Sequence, residues 1–240
     1  MQVTPYKDSD KHKKQQVEQM FDNIAPRYDF LNHFLSLGID KIWRKKAIRI
    51  LSDYKTDVLL DVATGTGDFA IAAMKLKPSK VIAFDISEQM LQVGRIKAEK
   101  LGLGNSIKFV KGDSEAMPFS DRQFDAITVA FGVRNFENLE KGLKEFHRVL
   151  KPNGVAVILE FSKPRYFPFK QFYFFYFFTI LPLVGRLVSK DRSAYSYLPE
   201  SVMAFSDDQK FLSILKACGF TRARQKRLTF GIATIYIAQK

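Results

Sequence analysis

Short apolar runs alternate with helical stretches through the middle of the chain, and this rhythm restricts the fold more than any other feature. Five runs end in turn residues: Val58–Ala63, Lys80–Asp85, Ile107–Lys111, Phe124–Ala130 and Val155–Phe161. Strands that alternate with helices predict a parallel sheet with helices on both faces. The last two runs, Arg222–Leu228 and Ile232–Ala238, are separated only by TFG, which is too short for a crossover helix. We therefore expect a seven-stranded, mostly parallel α/β sheet with a reversed terminal strand.

The rest of the chain is expected to complete one domain over residues 1–240. Helical periodicity begins at Val17 and predicts an N-terminal helical lid within residues 1–54, whereas the polar residues 1–16 are expected to be frayed. Residues 163–205 lack the strand–helix rhythm, and we expect them to form an insertion on the substrate side. The single cysteine, Cys218, excludes a disulfide framework and a thiol cluster for zinc. The basic N-terminus has no apolar core behind it, so we expect a cytoplasmic protein.

The sequence LLDVATGTGD, at residues 59–68, is the strongest indication of a binding site. An apolar strand ends in Asp61, and Gly65 and Gly67 allow a ligand to approach the backbone where the next helix begins. Glycine loops of this kind also occur as purely structural turns, so the motif does not identify a site by itself.

Acidic residues at the ends of the next two strands strengthen the indication. Asp85 is placed to bind both hydroxyls of a ribose, although an acid at this position also often caps a helix. Asp113 and Ser114 end the third strand, where a side chain can reach an adenine amino group. Because open α/β sheets bind ligands at the carboxyl ends of their strands, the three elements together predict a cofactor that contains adenosine.

The type of cofactor follows from two further observations. The loop Gly65-Thr66-Gly67-x-x-Ala70 also satisfies the pattern of dinucleotide-binding proteins, which leaves a nicotinamide cofactor open. Asp61 would repel a pyrophosphate, but it could order a loop that faces a cationic ligand. The reversed strand also departs from an all-parallel dinucleotide sheet. Both observations favour S-adenosylmethionine, whose sulfonium and amino groups are cationic.

Several separate blocks resemble the motifs of class I S-adenosylmethionine-dependent methyltransferases, which have a Rossmann-like fold: DVATGTGD, AFDIS, GDSEAMPF, FDAITVAFGVRNF and LKPNGVAVILEFSKP. Over residues 17–240 the chain is more closely similar to the quinone-biosynthesis C-methyltransferases, through FDNIAPRYDFLNHFLSLGIDKIWRKK, FGVRNF and LEFSKP. The resemblance implies a set of cofactor-binding residues, namely Thr66, Asp85, Asp113 and Ser114. The chain departs from the family pattern at Ala130, where a serine often touches the cofactor, and at Ala63, which replaces a glycine.

The resemblance also implies a reaction, the transfer of a methyl group to a ring carbon of a prenylated quinol. We expect demethylmenaquinol as the acceptor, and a polyprenyl methoxy-benzoquinol of ubiquinone biosynthesis is the alternative. More remote alternatives are a methyltransferase acting on RNA or another small molecule, and a NAD-dependent oxidoreductase. Catalysis would consist mostly of positioning and of stabilising a phenolate.

Two residues are candidates for a catalytic role. Arg134 follows the fourth strand at the edge of the cofactor loops and is expected to orient a quinol oxygen, although a surface arginine is the plain alternative. Tyr28 lies in a YD-x-x-N segment that the resemblance places at the cofactor lid. His33 is a weaker candidate for a general base. The histidines lack ligand spacing, so we expect no metal.

Positive charge and aromatic residues indicate a membrane as a further partner. The net charge is +13, and ten of the thirteen residues from Tyr166 to Phe178 are aromatic. A buried helix is the plain alternative, but one helical face of a core does not hold so many rings. Nucleic acid is not expected, because base-stacking aromatic residues are usually interleaved with basic ones. The sequence leaves a homodimer open.

We therefore expect the tract 166–181 to make a peripheral contact with the anionic inner face of the cytoplasmic membrane. The uncharged run from Gln171 to Gly185 is too short to cross a bilayer. Basic residues around the tract are expected to support the contact, namely Lys163, Arg165, Lys170, Arg186, Lys190 and Arg192.

Overall fold

Seven strands form the central sheet of the computed structural model: β1 (Val58–Val62), β2 (Lys80–Asp85), β3 (Ile107–Lys111), β4 (Phe124–Ala130), β5 (Leu150–Phe161), β6 (Arg224–Leu228) and β7 (Ala233–Gln239). Their order in the sheet is β3-β2-β1-β4-β5-β7-β6. The first five strands pair in parallel, and β7 runs antiparallel to both β5 and β6. This confirms the expected Rossmann-like sheet with its reversed terminal strand. The structure describes residues 3–36, 38–180, 183 and 193–240.

Helices cover both faces of the sheet. They are α1 (Lys13–Ile24), α2 (Tyr28–Leu35), α3 (Ile39–Leu51), α4 (Asp68–Ala73), α5 (Glu88–Lys100), α6 (Leu139–Val149), α7 (Phe169–Phe175), α8 (Ser193–Ala204) and α9 (Gln209–Ala217). A π-helix, Tyr176–Ile180, continues α7. Short 3-10 turns occupy Ala25–Arg27, Met74–Leu76, Val133–Asn135 and Thr229–Gly231.

Two hydrophobic cores lie on opposite faces of the sheet, because successive strand residues point to opposite sides. Leu59 of β1 packs in the core beneath α3 and α4, whereas Leu60 packs in the core beneath α6 and α9. Both side chains are fully buried. Burial on both faces explains why these strands are continuous apolar runs and do not alternate with polar residues.

The reversed strand depends on the short connection that the sequence indicated. Thr229, Phe230 and Gly231 all adopt positive φ angles, of 44°, 55° and 94°, and turn the chain back within three residues. The Trp43 indole Nε1 donates a hydrogen bond to Thr229 Oγ1 over 2.8 Å. This contact ties α3, in the N-terminal segment, to the end of the sheet.

The expectation of a frayed N-terminus was wrong for residues 3–16. Helix α1 begins at Lys13, and the Lys13 ammonium donates to the carbonyl oxygens of Arg134 (3.2 Å) and Phe136 (3.0 Å). Burial lowers the pKa of Lys13 to about 8. Gln16 Oε1 accepts a hydrogen bond from the backbone N–H of Tyr6 (2.9 Å). The polar composition of this segment predicted a frayed end, but Lys13 and Gln16 have specific hydrogen-bond partners in the folded chain.

The insertion follows β5 and carries α7, the π-helix and α8. Tyr173 and Phe177, four residues apart, are buried and form a small core with Val202 of α8. Phe172 and Phe175, on other sides of the same helix, are exposed. Among the residues that the structure describes, no helix is long and apolar enough to cross a membrane.

Candidate active site

The Asp61 carboxylate holds the glycine-rich loop in place. Its Oδ1 accepts a hydrogen bond from Thr128 Oγ1 (2.5 Å), and its Oδ2 accepts from Thr64 Oγ1 (2.5 Å) and from the backbone N–H of Ala70 (3.1 Å). Burial of the carboxyl group raises its pKa to about 6. Asp61 is fully buried and lines no cavity described below, so its place is behind the loop.

The two predicted glycines give the loop its left-handed turns. The φ angles are +55° at Gly65 and +80° at Gly67, where helix α4 begins. A Cβ atom at Gly67 would lie 3.0 Å from Phe109 Cε1, so a side chain there would also have to displace this ring. A Cβ atom at Gly65 would lie 3.8 Å from the ring of Tyr28. The loop backbone therefore closely faces a residue of the N-terminal segment.

Thr66 directs its hydroxyl away from the open side of the loop. Its Oγ1 is 2.5 Å from Asp29 Oδ1 and accepts a hydrogen bond from Lys97 Nζ over 3.1 Å. Lys97 also forms an ion pair with Asp29 Oδ2 at 2.6 Å. The Thr66 side chain thus connects the loop to α2 and α5, and it does not line the cavity beside the loop.

A cavity, which we call the glycine-loop cavity, lies between this loop, the ends of β2 to β4, and α1. Four of the residues predicted to bind the cofactor line it together: Gly65, Asp85, Asp113 and Ser114. Asp85 Oδ2 accepts a hydrogen bond from the Gly65 N–H (2.7 Å), and Asp85 Oδ1 accepts from the Ser87 N–H (2.9 Å). Burial raises the pKa of Asp85 to about 6. The carboxylate can still accept a hydrogen bond from a ligand, because it offers about four acceptor positions in total.

Asp113 at the far end of this cavity is paired with the N-terminal helix. Lys14 Nζ lies 2.6 Å from Asp113 Oδ2 and 3.7 Å from Glu115 Oε2. Asp113 Oδ1 accepts a hydrogen bond from the Glu115 N–H (2.9 Å). Helix α1 therefore closes this end of the cavity, where its Lys14 ammonium pairs with the Asp113 carboxylate.

A second cavity of about 340 Å³, which we call the aromatic cavity, lies beside the first. Its walls come from α1, α2, α3, the end of β5 and the insertion, and its aromatic residues include Trp43, Phe161, Tyr173, Phe177 and Tyr197. Three residues line both cavities: Phe21, Tyr28 and Phe131. Only one layer of side chains therefore separates the two spaces.

Tyr28 lies at this junction. Its ring packs edge-to-face against Phe21, with the ring centroids 6.0 Å apart. Burial of the hydroxyl raises the pKa of Tyr28 above its ordinary value of 10. The residue is therefore neutral near pH 7, and it can donate a hydrogen bond but cannot act as a base.

Arg134 lines the aromatic cavity and is held there by Glu160. Nη1 of Arg134 lies 2.9 Å from Glu160 Oε1 and also donates to the Phe131 carbonyl oxygen, while Nε donates to Ser201 Oγ (3.3 Å). The guanidinium carbon is 5.5 Å from the ring centroid of Phe161. Among the described residues, Nη2 has no hydrogen-bond partner, so this nitrogen is available to a ligand in the cavity.

Sequence reasoning missed three residues that shape the site. Glu160 carries a recognisable signal, because an acid within the apolar run VAVILEF must have a partner when it is buried. Lys13 and Lys14 carry no such signal, since charges in a polar segment are typical of a solvated surface. Their partners lie 99 to 123 positions away in the sequence.

The sequence led us to expect no metal site. Among the described side chains, no group of three or more His, Cys, Asp and Glu residues could hold a metal ion. The side chain of His33 lies outside the described residues.

The sheet order and the loop at its centre define the fold of the class I S-adenosylmethionine-dependent methyltransferases. A solved S-adenosylmethionine-dependent methyltransferase from Aquifex aeolicus has the same fold, with a TM-score of 0.58 over 80% of this chain and 88% of that chain. The two sequences are 22% identical, so this likeness concerns the fold alone.

The model of the ubiE/COQ5 methyltransferase family matches residues 9–240, and the chain belongs to this family. It is 52% identical over 239 residues to the demethylmenaquinone methyltransferase of Bacteroides fragilis, covering 99% of this chain and 97% of that protein. It is 45% identical to the ubiquinone/menaquinone biosynthesis C-methyltransferase UbiE of Geotalea uraniireducens, covering 95% and 97%. The protein is thus a methyltransferase with S-adenosylmethionine as its cofactor, and the oxidoreductase alternative is excluded.

The pH dependence of stability tests the anchoring role of Asp61. Because folding raises the pKa from 3.8 to about 6, the folded state binds this proton more tightly, and stability from this group is lost as the pH rises through that window. The shift corresponds to on the order of 3 kcal/mol. Relative to Asp61→Asn, the free energy of unfolding of the wild type should therefore fall by that order between pH 4 and pH 7. Urea titrations of both proteins measure the difference, and a constant difference would contradict the assignment.

Proposed function

We propose that this protein methylates a ring carbon of demethylmenaquinol, with S-adenosylmethionine as the methyl donor. One observation carries the proposal: the glycine-loop cavity and the aromatic cavity share a wall of Phe21, Tyr28 and Phe131. A donor in the first cavity and an apolar acceptor in the second would meet at this wall. The name of the Bacteroides fragilis relative supports a naphthoquinol as the acceptor.

The polar groups of the glycine-loop cavity fit S-adenosylmethionine. Asp85 would accept hydrogen bonds from the ribose hydroxyls beside those that it receives from Gly65 and Ser87. Asp113 and Ser114 would hold the adenine amino group at the other end. When bound, the cofactor supplies an electrophilic methyl group on its sulfonium.

Three further residues predicted for the cofactor site would act through the loop. Asp61 and Thr66 fix the loop from behind and from the side, and Gly67 allows its close turn. Their expected effect is on the position of the backbone that faces the methionine part of the cofactor.

Within the predicted N-terminal lid, residues 1–54, we assign the moving part to α1 and α2, because α3 packs in an apolar core of the sheet. The charged residues of these two helices attach to the ligand-binding edge of the sheet, and Lys14 must share or release Asp113 when an adenine amino group binds there. Glu18 pairs with Lys111 (2.8 Å), and Asp22 Oδ1 accepts a hydrogen bond from Ser87 Oγ (2.6 Å). Partly exposed contacts of this kind contribute only about 0–1 kcal/mol each, which suits a cover that opens and closes.

Arg134 would act on the acceptor. Its free Nη2 would donate to a quinol oxygen and stabilise the phenolate form, which raises the electron density at the neighbouring ring carbon. Glu160 pairs with the guanidinium and fixes its direction before the acceptor binds. Tyr28 is neutral and can add a hydrogen bond from the junction. Because a thioether leaves as a neutral group, no acid is needed, and positioning supplies much of the remaining effect.

We also propose a peripheral contact with the inner face of the cytoplasmic membrane through the exposed side of the insertion. Phe167, Phe175 and Phe178 expose 80%, 59% and 48% of their surface. Phe169 and Phe172 are exposed and also line the aromatic cavity. A prenyl tail could therefore pass from lipid into the cavity at this point, while the ring reaches Tyr28.

The basic residues expected beside this surface contribute unequally. Lys163 pairs with Asp207 (3.0 Å) and Arg165 pairs with Asp208, so these two cations are already neutralised. Lys170 is exposed. The other three predicted cations, Arg186, Lys190 and Arg192, lie outside the described residues. The support for the contact thus comes mainly from the exposed aromatic side chains.

Transfer of a labelled methyl group tests the function. The purified protein, S-adenosylmethionine labelled in its methyl group, and chemically reduced demethylmenaquinone in vesicles should give menaquinol with the label on its ring. A polyprenyl methoxy-benzoquinol, tested in parallel, should react more slowly. Label found on neither ring, with S-adenosylhomocysteine still bound by the protein, would contradict the proposed acceptor class.

The variant Asp85→Ala tests the placement of the cofactor. Loss of hydrogen bonds to a charged partner should weaken binding of S-adenosylhomocysteine by about 1.5–3 kcal/mol, measured by calorimetry. Asp125→Ala is the matched control, because Asp125 is also a buried strand acid, bonded to the Val58 N–H (2.9 Å), but at the opposite edge of the sheet. The control should lose stability and keep its affinity. Equal affinity in the Asp85 variant and the wild type would refute the ribose assignment.

The variant Arg134→Lys separates acceptor chemistry from cofactor binding. Lysine keeps the charge but loses the planar fork that reaches Glu160 and the acceptor together. Turnover should fall by about 10²-fold, the effect of losing one oxyanion donor, while the affinity for S-adenosylhomocysteine stays unchanged. Arg148→Lys removes a comparable two-point pairing, with Glu145, on α6 and should not change turnover. Parallel losses of turnover and cofactor affinity would place Arg134 in the cofactor site.

Replacing Phe167, Phe175 and Phe178 by Ser tests the membrane contact. All three side chains are exposed and none lines either cavity, whereas Phe177 is buried and must be kept. Binding to anionic vesicles and turnover of a long-tailed quinol should fall, and turnover of a short-tailed quinol in solution should persist. Ile96→Ser with Leu101→Ser is the matched control, because these exposed residues belong to or adjoin α5. Unchanged vesicle binding in the triple variant would end the membrane proposal.

A further inference from the structure

A hydroquinone attacks more readily through its phenolate form, and neither Arg134 nor Tyr28 can take the hydroxyl proton that must leave to form it. Arg134 is a cation bound to Glu160, and Tyr28 is neutral with a raised pKa. Glu160 is fully buried behind Arg134 and does not line the aromatic cavity. The acceptor site therefore needs a further group that can take a proton from the hydroquinone.

Asp40 has the required position. It is the one carboxylate among the described residues that line the aromatic cavity. It belongs to the first turn of α3 and is almost completely buried. Tyr28, Asn32 and Ser36 of the preceding segment line the same cavity, so the wall that carries Asp40 is continuous with the junction between the two cavities.

The contacts of Asp40 hold the carboxylate in one orientation. Its Oδ1 accepts a hydrogen bond from Ser36 Oγ (2.6 Å), and its Oδ2 lies 2.5 Å from Arg44 Nη1. The orientation is therefore set before a ligand arrives, which favours proton transfer.

Arg44 pairs with a second carboxylate besides that of Asp40. Arg44 Nη1 also lies 3.5 Å from Asp68 Oδ2, so one cation serves two carboxylates. Arg44 lies close enough to Tyr28 and Asp61 to influence their pKa values, which places this ionic group beside the glycine-rich loop. Asp40 is thus a carboxylate paired with a cation in a mostly apolar cavity, next to the place where donor and acceptor would meet.

We infer that Asp40 is the general base of the methyl transfer and accepts the proton of a hydroquinone hydroxyl. The inference rests on the proposed function. The O–H bond breaks and its proton passes to Asp40. The oxygen electron pair drives the ring carbon to form a bond with the methyl carbon, as the carbon–sulfur bond breaks and its electrons stay on sulfur. The ring carbon then loses its hydrogen to water, and the oxygen recovers a proton from Asp40. One proton is released in total, and Asp40 is ionised again.

A binding measurement without turnover tests the contact. With S-adenosylhomocysteine present, the wild type should bind 1-naphthol more tightly than 1-methoxynaphthalene, because only naphthol can donate a proton to Asp40. In Asp40→Asn a neutral acceptor replaces the charged one, and the preference should fall by about tenfold. No preference for naphthol in the wild type would overturn the proposal, whether or not the variant folds.

Turnover supplies the second measurement. With a short-tailed naphthoquinol, Asp40→Ala should lose activity by about 10²-fold or more, and added formate should restore part of it by entering the space left by the carboxylate. Affinity for S-adenosylhomocysteine should stay unchanged. A full rate without formate in the folded variant, or a lost rate that formate does not restore, would overturn the role.

Asp68→Asn is the matched control, because it also removes a carboxylate partner of Arg44 but leaves Asp40 in place. This variant should keep the preference for naphthol and should not respond to formate. If the control loses the preference as well, the effect belongs to Arg44 and the proposal fails. The naphthol comparison needs no methyl transfer, so its result is separate from the test of the proposed function, which is turnover by the wild type.

Discussion

The site depends on one buried carboxylate more than on any other group. Asp61 ends β1, and its hydrogen bonds reach Thr128 of β4, Thr64 of the loop and the first turn of α4. β1 and β4 are neighbours at the point where the strand order reverses, which is where open α/β sheets form their binding crevice. The carboxylate joins the two strands at this point and holds the glycine-rich loop in a fixed position relative to them. Burial of the ionised carboxylate lowers the free energy of unfolding, as the raised pKa of Asp61 shows. This cost falls at the position where the carboxylate fixes the loop.

The N-terminal helices enclose the two cavities at the edge of the sheet. Without α1, α2 and α3, the glycine-loop cavity would be an open edge and the aromatic cavity would lack three of its walls. Polar contacts hold part of this cover, such as Lys14 with Asp113 and Asp29 with Thr66, whereas α3 packs in an apolar core of the sheet. The polar contacts of α1 and α2 with the edge of the sheet can break without disrupting this core. The proposed lid movement is therefore confined to these two helices.

Much of the fold could be predicted from the sequence, because its signals are local. The buried parallel strands are apolar runs of the right length, and the three-residue TFG connection requires an antiparallel pair. Gly65, Asp85, Asp113 and Ser114 were predictable for a similar reason, since strand ends of a parallel sheet converge at one edge whatever the remaining packing is.

The rest could not be predicted, because it depends on contacts between distant residues. The sequence does not show that the Thr66 hydroxyl faces Asp29, or that Lys13 finds two carbonyl oxygens more than a hundred residues away. From Phe172 to Phe178 every residue is aromatic, so the composition hides the helical phase that buries Tyr173 and Phe177 and exposes Phe175. Hydrophobic periodicity identifies a buried face only where polar residues mark the other one.

A crystal structure of the protein with S-adenosylhomocysteine and a short-tailed demethylnaphthoquinol tests the central claim most directly. The homocysteine sulfur should lie in the glycine-loop cavity, and the naphthoquinol ring should lie in the aromatic cavity. The ring carbon should lie about 3–3.5 Å from the position of the transferred methyl group, beside Tyr28. A ring bound outside the aromatic cavity, or a sulfur directed away from the shared wall of Phe21, Tyr28 and Phe131, would contradict it.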